Sequence, residues 1–224
     1  MIFTGGGRMS QQIDMDLLKD VLSNKTAQNA LIRLYADSQA ECQKNGTIGM
    51  EVGMSREKDI LAFLKFYLDD GINCETDNRL TEDCMLGPQK LSIKHKTGNI
   101  GAPIKAKWTA ASIPAKDAIK TIIEAPDEYY PALLIVYFDT KKKTIVFICI
   151  SAEHNKNTIK GLGNAAFKIS NGITRGIDYS REAMKELMKN ICFRVDIANA
   201  DLTTGMNPLH RRMDILRSMM PESA

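Results

Sequence analysis

The chain has 224 residues, 44% of them hydrophobic, enough to bury a sizeable core in a single domain. Thirty basic against twenty-seven acidic residues leave a formal charge of +3, too small to identify a nucleic-acid binder by itself but compatible with a locally basic groove. No apolar run approaches the roughly 20 residues of a membrane helix, and the start, MIFTGGGRMSQQ, lacks the apolar stretch of a secretory leader, so a cytoplasmic protein is expected.

In chain order, TGGGR follows no strand and lacks the GK[ST] ending of a phosphate loop, and reads as a flexible N-terminus. From Gln11 to Gln43, Met15, Leu18, Leu22, Leu31, Leu34 and Tyr35 recur at three-to-four-residue spacing, which predicts two helices broken near SNKT. Ser55 is placed to cap a helix over REKDILAFLKFYLDD that Gly71 stops. INCETDN and TEDCML lean toward β structure, and GPQ turns the chain into KLSIKHKTG, a hairpin. PAKDAIKTIIEA predicts a helix ended by Pro126. ALLIVYFD and TIVFICIS, joined by TKKK, are apolar on both faces and belong in a sheet covered on both sides.

The segment NKNTIKGLGNAAFKISNGITRGIDY carries four glycines and reads as loops with short strands. Ser180 then caps a helix over REAMKELMKNICF, and LHRRMDILRSMM predicts a last amphipathic helix. The order is that of an α/β domain with a central mixed sheet flanked by helices. One domain spans 1–224: N-terminal helices to residue 50, a core over 51–150, and loops with C-terminal helices over 151–224.

Cys42, Cys74, Cys84, Cys149 and Cys192 are odd in number and form no CxxC pair, and His95, His154 and His210 are scattered, so neither a disulfide framework nor a zinc site is expected. The residues suited to chemistry gather in the hairpin. Strand periodicity puts Lys90, Ser92, Lys94 and Lys96 on one face and Leu91, Ile93 and His95 on the other. A two-residue turn sets Asp83 across from Ser92, and a three-residue turn sets Glu82 across from Lys94. Either register brings a carboxylate beside a lysine. With Glu57 as a second carboxylate on the preceding helix, such a group can hold Mg²⁺ against a phosphodiester while the lysine positions or deprotonates water. As a first-turn acid, Glu57 would instead only complement the helix dipole.

These residues resemble the PD-(D/E)xK nuclease superfamily, and within it the type II restriction endonucleases. The resemblance rests on REKDILAFL before the hairpin, Asp83 on its first strand and LSIKHK on its second, and spans roughly residues 50–150; GITRGIDYSREAMKEL is similar to the C-terminal part of such enzymes. It implies a restriction-endonuclease-like core and a Mg²⁺-dependent endonuclease that cuts both strands of double-stranded DNA at a short specific site as a homodimer. Lys94 would be the catalytic lysine and Asp83 the main metal ligand, with the Ile93 carbonyl also on the metal. No proline precedes Asp83, and Ser92 stands where the family has an acid. Glu57, Glu82 or Asp77 would compensate.

Lys96 would touch the scissile phosphate, and Lys105 and Lys107, flanking Trp108, have the sign for phosphate contact. Base-edge contacts are expected from Asn157, Lys160, Lys168, Asn171 and Arg175, with Arg175 first among them, and phosphate tracking from Arg211 and Arg212. His95 is expected to be a half-buried, hydrogen-bonded histidine. Two alternatives stay open: a repair or recombination nuclease of the same fold, and a DNA-binding module that has lost catalysis at Ser92.

Overall fold

A computed structural model describes residues 6–44, 50–68, 72–73, 83–107, 114–139, 141–169, 176–200 and 202. The first helices, α1 (Gly6–Ser23) and α2 (Lys25–Lys44), break at Asn24, inside SNKT. The Asn24 side chain accepts from the Ala27 N–H at 3.1 Å and so caps α2. Two helix starts differ from the sequence reading. Helix α1 begins at Gly6, inside the glycine run taken for a flexible terminus. Helix α3 (Met50–Leu68) begins five residues before Ser55, which lies in its interior and not at its cap. MEVGM contains no proline, and the single Gly53 costs a helix only about 1 kcal/mol, so the helix extends back through it.

After α3 come β1 (Ile72–Asn73), β2 (Cys84–Leu86), β3 (Gln89–Thr97), β4 (Lys105–Lys107), α4 (Ala115–Ile123), β5 (Ala132–Asp139) and β6 (Thr144–Ile150). The chain continues with α5 (Ala152–Leu162), β7 (Phe167–Ile169), β8 (Ile177–Tyr179), α6 (Arg181–Leu187) and β9 (Phe193–Ile197). Six strands form a mixed sheet in the order β1-β2-β3-β5-β6-β9, and β4, β8 and β7 form a smaller one. The β3–β5 pair is parallel and its neighbours are antiparallel, so the chain crosses over through β4 and α4 between them.

The sheet separates two cores. Leu91 and Ile93 of β3 and Leu134, Val136 and Phe138 of β5 face α1, α2 and α3. Leu133, Ile135 and Tyr137 face α4, α5, α6 and the small sheet. Seven consecutive residues of β5, Ala132 to Phe138, are buried, which is why ALLIVYFD shows no alternation.

Two C-terminal expectations are corrected. The segment read as loops opens with helix α5: Ser151 Oγ accepts from the His154 N–H at 3.1 Å, and Asn155, Thr158 and Ile159 fall on one buried face. The glycines end that helix, with Gly163 at φ 54°. The helix read over REAMKELMKNICF stops at Leu187, and FRVDI forms edge strand β9, alternately buried and exposed. That period-2 signal is short and sits against a helical one. The last amphipathic pattern, LHRRMDILRSMM, lies outside the described residues. Among those described, no helix is long and apolar enough to cross a membrane.

Candidate active site

The hairpin turn is Gly87–Pro88, two residues between Leu86 and Gln89. A φ of 54° at Gly87 followed by proline is the pattern of a II′ turn, which requires glycine first. The register pairs Cys84 with Leu91 and therefore sets Asp83 across from Ser92. The three-residue register, with Glu82 across from Lys94, is excluded; Glu82 and Asp77 themselves lie outside the described residues.

Asp83 directly precedes β2 and flanks the same edge of β3, where two carboxylates meet backbone amides. Asp83 Oδ2 accepts from the Ile93 N–H at 2.6 Å and from Ser92 Oγ at 3.1 Å. Glu57 Oε1, from α3, accepts from the His95 N–H at 3.4 Å. A strand residue turns its N–H and C=O to the same edge, so the Ile93 carbonyl faces the side on which Asp83 sits. Lys94, between the two amides, holds its Nζ 3.5 Å from Asp83 Oδ2.

Glu57 is half-buried and eight positions into α3, so it is not a first-turn acid serving the dipole. Burial pushes its carboxyl up to about 7; Lys94 and the His95 N–H pull it down, and the charge of Asp83 pushes it up. Two carboxylates therefore compete for the neighbourhood of one ammonium. Such a pair, with a strand carbonyl beside it, can hold a cation and present a lysine to an anion attached to it.

The polar row of KLSIKHK does share a face. Ser92 is buried, Lys94 half-buried and Lys96 exposed. Lys90, Ser92 and Lys94 wall a cavity of about 260 Å³, together with Tyr129, Tyr130 and Phe167. His95 lies on the opposite face with its ring edge-on to Tyr35, at 5.9 Å between centroids. Burial, then the neighbouring Arg56, hold its pKa down to about 3, so it is neutral.

The other expected contacts are dispersed. Lys105 is paired with Asp178 at 2.7 Å, and Lys107 is half-buried at the cavity. Lys160 and Asn157 ride on helix α5, not on a loop, and Lys160 pairs with Asp127, which Lys156 also reaches at 3.2 Å. Lys168 is exposed on β7. Asn171, Arg175, Trp108, Arg211 and Arg212 lie outside the described residues. Sequence reasoning missed Arg56, the immediate neighbour of Glu57, because a single arginine on a helix carries no periodic signal and reads as solvated.

The central mixed sheet flanked by helices is the fold of a restriction endonuclease. A solved restriction endonuclease in complex with substrate DNA has the same fold, with a TM-score of 0.68 over 89% of this chain and 98% of that one, at 22% identity. The chain belongs to the family of the restriction endonuclease ThaI, whose model matches residues 17–217. It is thereby a site-specific deoxyribonuclease. No curated protein matches the sequence.

Proposed function

We propose that the protein cuts both strands of duplex DNA at a short specific site in a Mg²⁺-dependent reaction, with Asp83, Glu57 and Lys94 as the groups that touch the reacting phosphate, its metal or its water. The observation that carries this is the cluster at the edge of β3, where Asp83 and Glu57 accept from the Ile93 and His95 amides and Lys94 lies 3.5 Å from Asp83.

Among the described residues no cluster of three acidic, histidine or cysteine side chains could hold a metal by side chains alone. Mg²⁺ needs fewer, because it keeps several waters and takes one or two carboxylates. The donors fit it: two carboxylates, one raised to about 7 by burial and by the other's charge, and the Ile93 carbonyl on the same edge. Bound there, Mg²⁺ supplies neutralisation of phosphate charge and a water of lowered pKa. Asp83 and Glu57 would hold it. Ser92, standing where the superfamily pattern has an acid, donates to Asp83 and so orients that carboxylate without adding charge. Lys94 stabilises charge developing on the phosphate or takes part in activating the water. Lys96, exposed on the same face, contacts the phosphate backbone. Lys107, Lys168, Asn157 and the segment containing Asn171 and Arg175 contribute DNA contacts. A homodimer sets two such edges on a symmetric site, one per strand.

The test separates binding from cutting. Lys94→Ala and Asp83→Asn should each lower the single-turnover cleavage rate by about a hundredfold to a thousandfold, the size expected when a charge-stabilising group is removed. Duplex affinity measured in Ca²⁺ should stay within a few-fold. Wild-type rates in either variant would remove these residues from the site.

A further inference from the structure

Arg56 directly precedes Glu57 on α3, and only 3% of it is exposed. Its fork reaches two other elements. Nη2 donates to Gln39 Oε1 of α2 at 2.6 Å, and Nη1 donates to Thr97 Oγ1 of β3 at 3.3 Å. Nη1 also lies 3.4 Å from His95 Nε2. A guanidinium can only donate, so Nε2 accepts and the histidine proton is on Nδ1. The cation stacks over Phe138 at 5.1 Å and over Tyr35 at 5.8 Å from the ring centroids. Its Nε is buried with no hydrogen-bond partner.

A buried guanidinium bonded to an amide, a hydroxyl and an imidazole is an expensive way to fill a core, where an apolar side chain of similar volume serves stability as well or better. What it touches is informative. His95 and Thr97 alternate with Lys94 and Lys96 along β3, and the His95 N–H donates to Glu57. One side chain thus ties the helix turn that bears Glu57 to the strand segment that bears Lys94, and ties both to α2.

We infer that Arg56 is a positioning residue for phosphodiester cleavage, a three-way clamp that fixes the separation of α3 and β3 and so places Glu57 beside Asp83 and Lys94. The inference rests on the nuclease reading of that edge. Lysine keeps the charge but gathers its donors on one nitrogen and loses the planar fork whose two ends meet Gln39 and Thr97. A misplacement of about 1 Å in such a constellation costs on the order of a hundredfold in rate.

The experiment compares wild type with Arg56→Lys, Thr97→Val, which removes one arm of the clamp, and Leu64→Ala, which opens the same buried helix face without touching the guanidinium. Leu64 is fully buried in the core that also holds Leu91 and Ile93. Four quantities are read: thermal midpoint, duplex affinity in Ca²⁺, single-turnover cleavage rate, and Mn²⁺ affinity by calorimetry. Arg56→Lys should cut about a hundredfold more slowly and bind Mn²⁺ about tenfold more weakly, with duplex affinity within about twofold. Thr97→Val should move the same two quantities by a smaller factor, which keeps the inference testable if Arg56→Lys fails to fold. Leu64→Ala should lower the midpoint and leave rate and Mn²⁺ affinity near wild type.

The clamp is overturned if Arg56→Lys and Thr97→Val keep wild-type rate and Mn²⁺ affinity, or if Leu64→Ala loses rate in the same proportion to its lost stability. Absence of cleavage by wild type would count against the nuclease reading alone. The Mn²⁺ titration then still decides the clamp, since equal affinity in wild type and Arg56→Lys contradicts it.

Discussion

Glu57 carries a cost in the metal-free protein that its function would explain. Its folded pKa of about 7 stands above the ordinary value of 4.5, mainly through burial. For a carboxyl raised on folding, the stabilising contribution is full below the unfolded pKa and is lost as pH rises through the folded one. A gap of about 2.5 units is worth about 3 kcal/mol at 1.36 kcal/mol per unit. In EDTA, Glu57→Gln and wild type should therefore be about equally stable near pH 4, and the variant more stable by about 3 kcal/mol at pH 8. Denaturant titrations at the two pH values measure this. Parallel stability curves would show that Glu57 is not strained. The same variant should cut DNA far more slowly, because the amide keeps the hydrogen bond to His95 and loses the charge. Stability gained with activity lost is the signature of a functional carboxylate.

Among the elements, the β2–β3 hairpin decides which carboxylate meets Lys94, and its turn decides the register. Gly87 at φ 54° is the position to test, since a β-branched residue there is strained by about 1–3 kcal/mol. Gly87→Val should destabilise by that amount in denaturant titration and slow cleavage further than the stability loss explains, because Asp83 is carried by the same strand. Cleavage unchanged at equal DNA occupancy would mean that the turn does not place Asp83. At α5, Ser151→Ala should cost about 1 kcal/mol through the lost cap and leave cleavage unaffected, as read by the same two assays. These elements also show what the sequence could and could not convey. The hairpin, the two-sided burial of β5 and the break at Asn24 follow from local rules of turn residues, apolar runs and capping, whereas the sequence left open whether Asp83 or Glu82 lies across from the lysine strand, and the two-residue turn decides it. Ser55 misled because a good cap residue inside a helix looks the same as one at its end. Helix α5 was hidden by glycines at Gly161 and Gly163, which lie at its C-terminal end and not within a loop. Strand β9 owes its existence to the open edge of β6, a tertiary partner that FRVDI alone cannot reveal. The clamp at Arg56 was illegible for the same reason: its meaning depends on Gln39 and Thr97, 17 and 41 residues away.

At the scale of the molecule, a net charge of only +3 has to serve DNA through local arrangement. Lys105, Lys156 and Lys160 are internally paired, so fewer lysines meet phosphate than the composition offers. The logarithm of duplex affinity should fall linearly with that of salt concentration, and Lys96→Ala should reduce the slope by about one. An unchanged slope would place Lys96 away from the backbone. The most direct test of the whole reading is digestion of a long unmethylated DNA by the purified protein, with Lys94→Ala beside it, in Mg²⁺ and in EDTA, followed by sequencing of the ends. Discrete fragments that share one end sequence, require Mg²⁺ and are absent with Lys94→Ala are the expected result. DNA bound but uncut across divalent ions and salt, or cut without a common end sequence, would contradict it.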